Sequence, residues 1–161
     1  MGNNIKKLLE QQEFITYNEY ACHHCGLIPY NVHPYVLEAI EELFYTFTEV
    51  RKRIERPIPI TSGYRCSQYI FWMMFDEGKS HLHSTHMFGV ALDIAIPSGF
   101  IKEQFVEIIR NVNPDIRIGY KNYNTFVHID TAYILRERGV DIWIKKNADW
   151  VLKYWHRGAE W

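Results

Sequence analysis

Residues 89–96 read Gly-Val-Ala-Leu-Asp-Ile-Ala-Ile, an alternation that an extended strand sorts into two separate faces. Val90, Leu92, Ile94 and Ile96 share one face, and Ala91, Asp93 and Ala95 share the other. The bulky face makes core. A carboxylate flanked by two alanines has space above it for a ligand, whereas a strand face turned to solvent more often carries larger polar residues. Residues 126–130, Phe-Val-His-Ile-Asp, give the same pattern, with Val127 and Ile129 inward and Phe126, His128 and Asp130 on the opposite face. His128 and Asp130 therefore look the same way, with Cα atoms about 7 Å apart by strand geometry. Laid side by side, the two strands bring Asp93, His128 and Asp130 together, and His86 enters from the loop ahead of Gly89.

Two imidazoles and one carboxylate are a usual protein complement for a catalytic zinc with an open coordination position. His and Asp on sheet faces also form plain hydrogen-bond pairs, so spacing alone leaves both readings open.

Further β-branched stretches predict strands at 57–61 and 116–120, and the polar run Lys121-Asn122-Tyr123-Asn124 reads as a hairpin turn between strands 116–120 and 125–130. A helix is expected over 31–54, where Pro34 stands near the start and Val36, Ile40, Leu43, Phe44, Phe47 and Val50 form one stripe. A second follows Ser98 as a plausible N-cap, with Phe100, Ile101, Phe105, Ile108, Ile109 and Val112 facing inward. A shorter one runs from Ser67 towards Gly78. Strands interspersed with helices but without a βαβ beat predict an α+β fold: a small, mostly antiparallel sheet of about four strands flanked by helices.

The chain has 161 residues without repeats or a separating linker, which predicts one domain over 1–161, with a core over 14–130 and an aromatic, basic segment over 131–161. In that segment Trp143, Trp150, Trp155 and Trp161 mix with Arg and Lys, Asn147 is a candidate cap for a short final helix, and the Trp residues are expected to pack back on the sheet. With 18 Lys+Arg against 19 Asp+Glu, the charge of −1 carries no electrostatic footprint for nucleic acid. No apolar run is long enough for a membrane span, and Met1-Gly2-Asn3-Asn4-Ile5-Lys6-Lys7 lacks the pattern of a secretory signal. The expectation is synthesis in the cytoplasm.

Three blocks occur in order: Thr61-Ser62-Gly63-Tyr64-Arg65-Cys66, then Ser84-Thr85-His86 with Gly89, Ala91 and Asp93, then Val127-His128-Ile129-Asp130. In order and spacing they resemble the zinc D-alanyl-D-alanine carboxypeptidase-like peptidoglycan peptidases, peptidase family M15, and among them the small members of its subfamily A. Glu19-Tyr20-Ala21-Cys22 with Cys25-Gly26 resembles the opening segment of small members, so the likeness covers 14–130. Beyond it, only Arg138 and Trp143 correspond to an Arg and a Trp near the end of some members. The resemblance implies the fold these peptidases share with hedgehog-like domains, a zinc ion held by His86, Asp93 and His128, and peptidoglycan stem peptides as substrate. Arg65 takes the place of the family arginine, which meets the substrate carboxylate or stabilises charge at the scissile carbonyl, and Ser84 joins it in substrate binding.

Many members carry Glu or Asp three residues before the last zinc-binding His, where this chain has Thr125. The small members have the His-x-Asp pattern instead, which makes Asp130 the candidate general base; its rival role is to orient a histidine by accepting its other N–H. Residues 70–75, Ile-Phe-Trp-Met-Met-Phe, replace a more polar stretch of the family and alter the expected groove. The resulting expectation is a carboxypeptidase or endopeptidase acting at the cell wall or periplasm after release, or carried on a virion, as a phage-type lysin does. Two other classes stay open: a non-catalytic zinc-containing module that binds wall material or a partner protein, which Thr125 favours, and a virion structural protein.

Cys22, Cys25 and Cys66 are too few and too odd in number for a disulfide framework. Cys22-His23-His24-Cys25 suits a second metal only with further ligands such as Cys66 or His33; buried small side chains or a reversible disulfide are the plainer expectation. His81 and His83 read as solvent-facing loop histidines, and Trp72, Met73 and Met74 as core.

Overall fold

The structure, a computed structural model, describes residues 3–30, 32–77, 84–139 and 157–161. Strands β1 (Ile60–Ser62), β2 (Ala91–Ala95), β3 (Arg117–Gly119) and β4 (Phe126–Asp130) form one antiparallel sheet in the order β1-β2-β4-β3. Helices α1 (Asn4–Glu10), α2 (Tyr17–Tyr20), α3 (Pro34–Ile54), α4 (Ser67–Glu77), α5 (Lys102–Val112) and α6 (Ala132–Glu137) accompany it, with a 3₁₀ turn at Thr85–Phe88. This is the expected α+β class, and each strand overlaps the stretch whose pattern predicts it.

Pro34 opens α3 at a position where its missing N–H costs nothing, and His33 caps the helix by accepting the Tyr35 N–H on Nδ1 at 3.3 Å. The stripe Ile40, Leu43, Phe44, Phe47 and Val50 is buried, with Ala39 and Ile54 added. Arg51, Lys52 and Arg53 face the negative end of the helix dipole, and Glu55 ends the helix in a left-handed conformation, φ 55°. The same core takes in Val90, Leu92, Ile94, Val127, Ile129 and Ile118 of the sheet, and Phe105 and Ile109 of α5, which packs against α3.

Two expectations about helices are corrected. Ser98 does not cap α5. Gly99 adopts φ 86° and Phe100 N–H donates to Pro97 O at 3.1 Å, so the chain makes a turn first and the helix begins at Lys102. Ile101 is consequently exposed, while Val106 takes a core position. In α4 the apolar residues are consecutive and encircle the helix, so only Ile70 is fully buried; Trp72 is 60% exposed, and Met73 and Met74 are half-buried.

The sheet's second face positions the chemistry. Register pairs Ser62 with Asp93, Asp93 with His128, and His128 with Gly119, giving one row across all four strands. The next row pairs Ala91 with Asp130 and Asp130 with Arg117. A bulge between Ile60 and Ser62 lets Thr61 slip out of the ladder and redirects the chain into the segment that carries Gly63 and Arg65. At the free edge of β3, Ile118 N–H donates to Ala159 O at 2.9 Å and Trp161 N–H to Ile118 O at 3.1 Å. Residues 159–161 thus extend the sheet, and the Trp161 indole packs on Gly119, where a Cβ would sit 2.8 Å from the ring. Trp161 fulfils the expected packing on the sheet; Trp143, Asn147, Trp150 and Trp155, like His81 and His83, lie outside the described residues.

Candidate metal centre

Asp93 Oδ1 lies 3.1 Å from His86 Nε2 and 2.9 Å from His128 Nδ1, and the three residues are buried. Strand pairing delivers Asp93 and His128, as parity requires. His86 arrives from the 3₁₀ turn, which Gly89 closes in a left-handed conformation, φ 75°. A Cβ on Gly89 would also strike the Tyr20 hydroxyl, which donates to Gly89 O at 2.7 Å.

The outer nitrogen of each imidazole is committed. His86 Nδ1 lies 2.6 Å from Gly63 O, an acceptor only, so Nδ1 carries the proton and Nε2 presents a lone pair to Asp93. Burial lowers the His86 pKa, against the pull of Asp93, which keeps the ring neutral. His128 Nε2 faces Asp130 Oδ2 at 2.9 Å and donates there, which turns Nδ1 toward Asp93 Oδ1. Three ligand atoms thus converge within 4.8 Å of one another, with acceptor facing acceptor at His86 and Asp93. A cation between them removes that repulsion, and two imidazoles with one carboxylate suit a divalent metal such as zinc.

Without a cation, a proton does part of this work. Burial alone would depress the His128 pKa, but its bonds to Asp130 and Asp93 outweigh burial and raise it to about 9. Asp93 is held well below the usual carboxylate range: burial would raise it, and His86 and His128 overcome that.

Asp130 is fully buried behind His128, and both its oxygens are engaged. Oδ2 takes His128 Nε2–H, with the Thr85 hydroxyl at 3.4 Å; Oδ1 accepts Ala132 N–H at 3.0 Å and pairs with Arg117 Nε at 3.1 Å. Burial would raise its pKa, but Arg117 and His128 hold it below the ordinary value. Arg65 donates from Nη2 to Asp93 Oδ2 at 2.7 Å and from Nε to Ser62 Oγ at 2.9 Å, so its guanidinium is fixed at the His86–Asp93–His128 cluster. Ser84 precedes the 3₁₀ turn, its carbonyl accepting Met87 N–H at 3.0 Å, and its side chain makes no capping bond. Arg138, by contrast, is paired with Glu38 at 2.6 Å on an exposed surface.

Sequence reasoning missed Arg117 and the Gly63 carbonyl, and expected of Trp161 only that it packs on the sheet, not that it meets His128. The parity of β3 places Arg117 and Gly119 opposite Ile118, so that signal was present. Trp161 lies 5.6 Å from the His128 ring and 4.9 Å from the Arg117 guanidinium, and no local pattern announces a contact made through the sheet edge.

No curated protein is significantly similar in sequence. Among solved structures, the L-Ala D-Glu endopeptidase ChiX of Serratia marcescens is similar at 15% identity, with a TM-score of 0.49 over 66% of this chain and 92% of that one. The Peptidase M15 family profile matches residues 9–130, well over half of the chain, including His86, Asp93 and His128. The chain is a member of the M15 peptidase family.

Proposed function

We propose that this chain is a zinc-dependent peptidase that hydrolyses peptide bonds in peptidoglycan stem peptides, as a carboxypeptidase or an endopeptidase. The observation that carries the reading is the convergence of His86 Nε2, Asp93 Oδ1 and His128 Nδ1, with the outer nitrogen of each imidazole bonded so that its inner lone pair is left for a cation. Family membership and the three matched blocks support the substrate class. A zinc ion held there supplies Lewis acidity, lowering the pKa of water from 15.7 towards about 7 and polarising a carbonyl.

The chain's own residues do the rest. Arg65 sets a fixed positive charge beside the ligands, where a substrate carboxylate or a developing oxyanion is stabilised, an effect on the order of 3 kcal/mol for one such donor. Asp130 acts as a positioning residue: it fixes the His128 tautomer, while Arg117 compensates its buried charge. Ser84, at the mouth of the 3₁₀ turn, is assigned to substrate binding. Among the described residues no helix is long and apolar enough to cross a membrane. A role as a phage-type lysin acting at the wall belongs to the same proposal.

One observation favours a second reading, a non-catalytic wall-binding module. Thr125 replaces the acid found in many members, and Asp130 has both oxygens committed, so neither position supplies a free proton acceptor. Mass spectrometry of peptidoglycan fragments incubated with zinc-loaded and chelated protein separates the two. New fragments that vanish on chelation establish the peptidase and name its bond. Unchanged fragments across several wall chemotypes, with zinc-containing protein, overturn the peptidase reading and favour the binding module.

A further inference from the structure

A second cluster lies outside this centre. Cys22, Cys25 and Cys66 place their sulfurs within 4.8 Å of one another, although Cys22 and Cys66 are far apart in sequence. His33, the other sequence candidate, is not among them; it caps α3. Cys22 and Cys25 lie on a closed loop in which Cys22 N–H donates to Leu27 O at 2.9 Å and Gly26 N–H to Cys22 O at 2.7 Å. Gly26, directly after Cys25, takes φ 68°, which lets the loop fold back with both sulfurs on one side. Cys66 precedes α4. The sulfurs receive backbone donors: Cys66 N–H points at Cys22 Sγ at 3.3 Å, and Tyr69 N–H, from the first turn of α4, at Cys66 Sγ at 3.4 Å.

We propose that Cys22, Cys25 and Cys66 bind a structural zinc ion as thiolates, with the fourth position left to a water molecule or to His24, which, like His33, stands outside the sulfur cluster and would have to turn in to reach it. Soft thiolates at Cys-x-x-Cys spacing select zinc, and amide N–H groups aimed at sulfur stabilise the deprotonated form that a metal requires. His24 lies between the two loop cysteines, is exposed, and stacks on Tyr69 with ring centroids 6.0 Å apart. A disulfide between any two of the sulfurs would leave the third thiol over, whereas a metal uses all three.

The ion has a clear structural task. It ties the loop after α2 to the segment that supports the metal centre. Tyr64 N–H already donates to Tyr20 O at 2.8 Å, and a Cβ on Gly63 would collide with the Tyr20 backbone. Within the clamped segment, Gly63 O holds His86 Nδ1, Arg65 N–H donates to His86 O at 3.1 Å, and the Arg65 guanidinium reaches Asp93.

The test is cobalt substitution of the full chain, read in the near ultraviolet, where thiolate-to-cobalt charge transfer absorbs and a His/Asp site does not. The band is expected in the wild-type chain and in His128→Ala, and its loss is expected in Cys66→Ser. Zinc content by plasma mass spectrometry should fall by one ion per chain in Cys66→Ser, and the three thiols of the zinc-loaded wild type should resist alkylation until a chelator is added. Absence of the band in folded wild-type protein overturns the proposal, as does an unreduced intact mass that shows a disulfide. Because the band reports sulfur ligation alone, its failure is independent of the peptidase reading.

Discussion

The two clusters differ in what holds them. His86, Asp93 and His128 are set mainly by the sheet: register puts Asp93 against His128, and the outer nitrogen of each imidazole has a partner inside the fold. The cysteines are set by two loops meeting at the periphery, where amide donors do the orienting and exposure is higher. A site built on paired strands is preorganised before any ligand arrives, whereas one built on loops depends on the ligand to hold the loops together. The first suits chemistry and the second suits stapling.

The sharpest way to break this contrast is to remove a ligand from each. His128→Ala should reduce peptide hydrolysis to background, because it removes both a metal ligand and the partner of buried Asp130. Cys66→Ser should lower the thermal midpoint and retain measurable turnover. Equal loss of turnover in both folded variants would contradict the division of labour.

Arg65→Ala should come next, lowering kcat/KM by about 10²–10³-fold with zinc content unchanged, as expected for a lost charge donor. Asp130→Asn should weaken zinc binding by about 10–100-fold, the usual effect of losing the outer partner of a ligating histidine. Loss of turnover in Asp130→Asn at full zinc occupancy would return Asp130 to the role of general base. Gly119→Val forces the Trp161 indole away from His128 and should destabilise the fold by about 1–3 kcal/mol, read by chemical denaturation.

A pH series sharpens the same point. In metal-free protein the His128 pKa rises from 6.5 to about 9 on folding, through Asp130 and Asp93, which overcome burial. A group raised in the folded state adds stability that is complete below pH 6.5 and lost as pH climbs to about 9. Denaturation midpoints of chelated protein should therefore fall across that window. Zinc-loaded protein should lack this fall, because the ion takes the proton's place on Nδ1.

Much of the candidate site's geometry was legible because a period of two is a strong signal. Parity alone placed Asp93, His128 and Asp130 on one face, and the strands pair as that required. The surroundings of Asp130 were not legible, since they depend on Arg117 from the neighbouring strand and on the Ala132 amide beyond the strand end. Helix ends were read less well where a turn intervened, as at Gly99, where a left-handed residue postpones α5 past Ser98. The run at 70–75 misled for a different reason: hydrophobicity without a stripe does not say which side is inside, and Phe71, Trp72 and Phe75 are exposed. Spacing offered the cysteine cluster only as one option beside His33, because its third member is brought in by a contact between distant loops.

The central claim is that His86, Asp93 and His128 form a metal centre fixed before the metal binds. Anomalous scattering at the zinc edge, from crystals grown with zinc, tests it most directly. The account expects a peak about 2.0–2.2 Å from His86 Nε2, Asp93 Oδ1 and His128 Nδ1, with the bonds to Gly63 O and Asp130 unchanged. A folded, zinc-saturated crystal with no peak there, and His128 Nδ1 still bonded to Asp93, would contradict it.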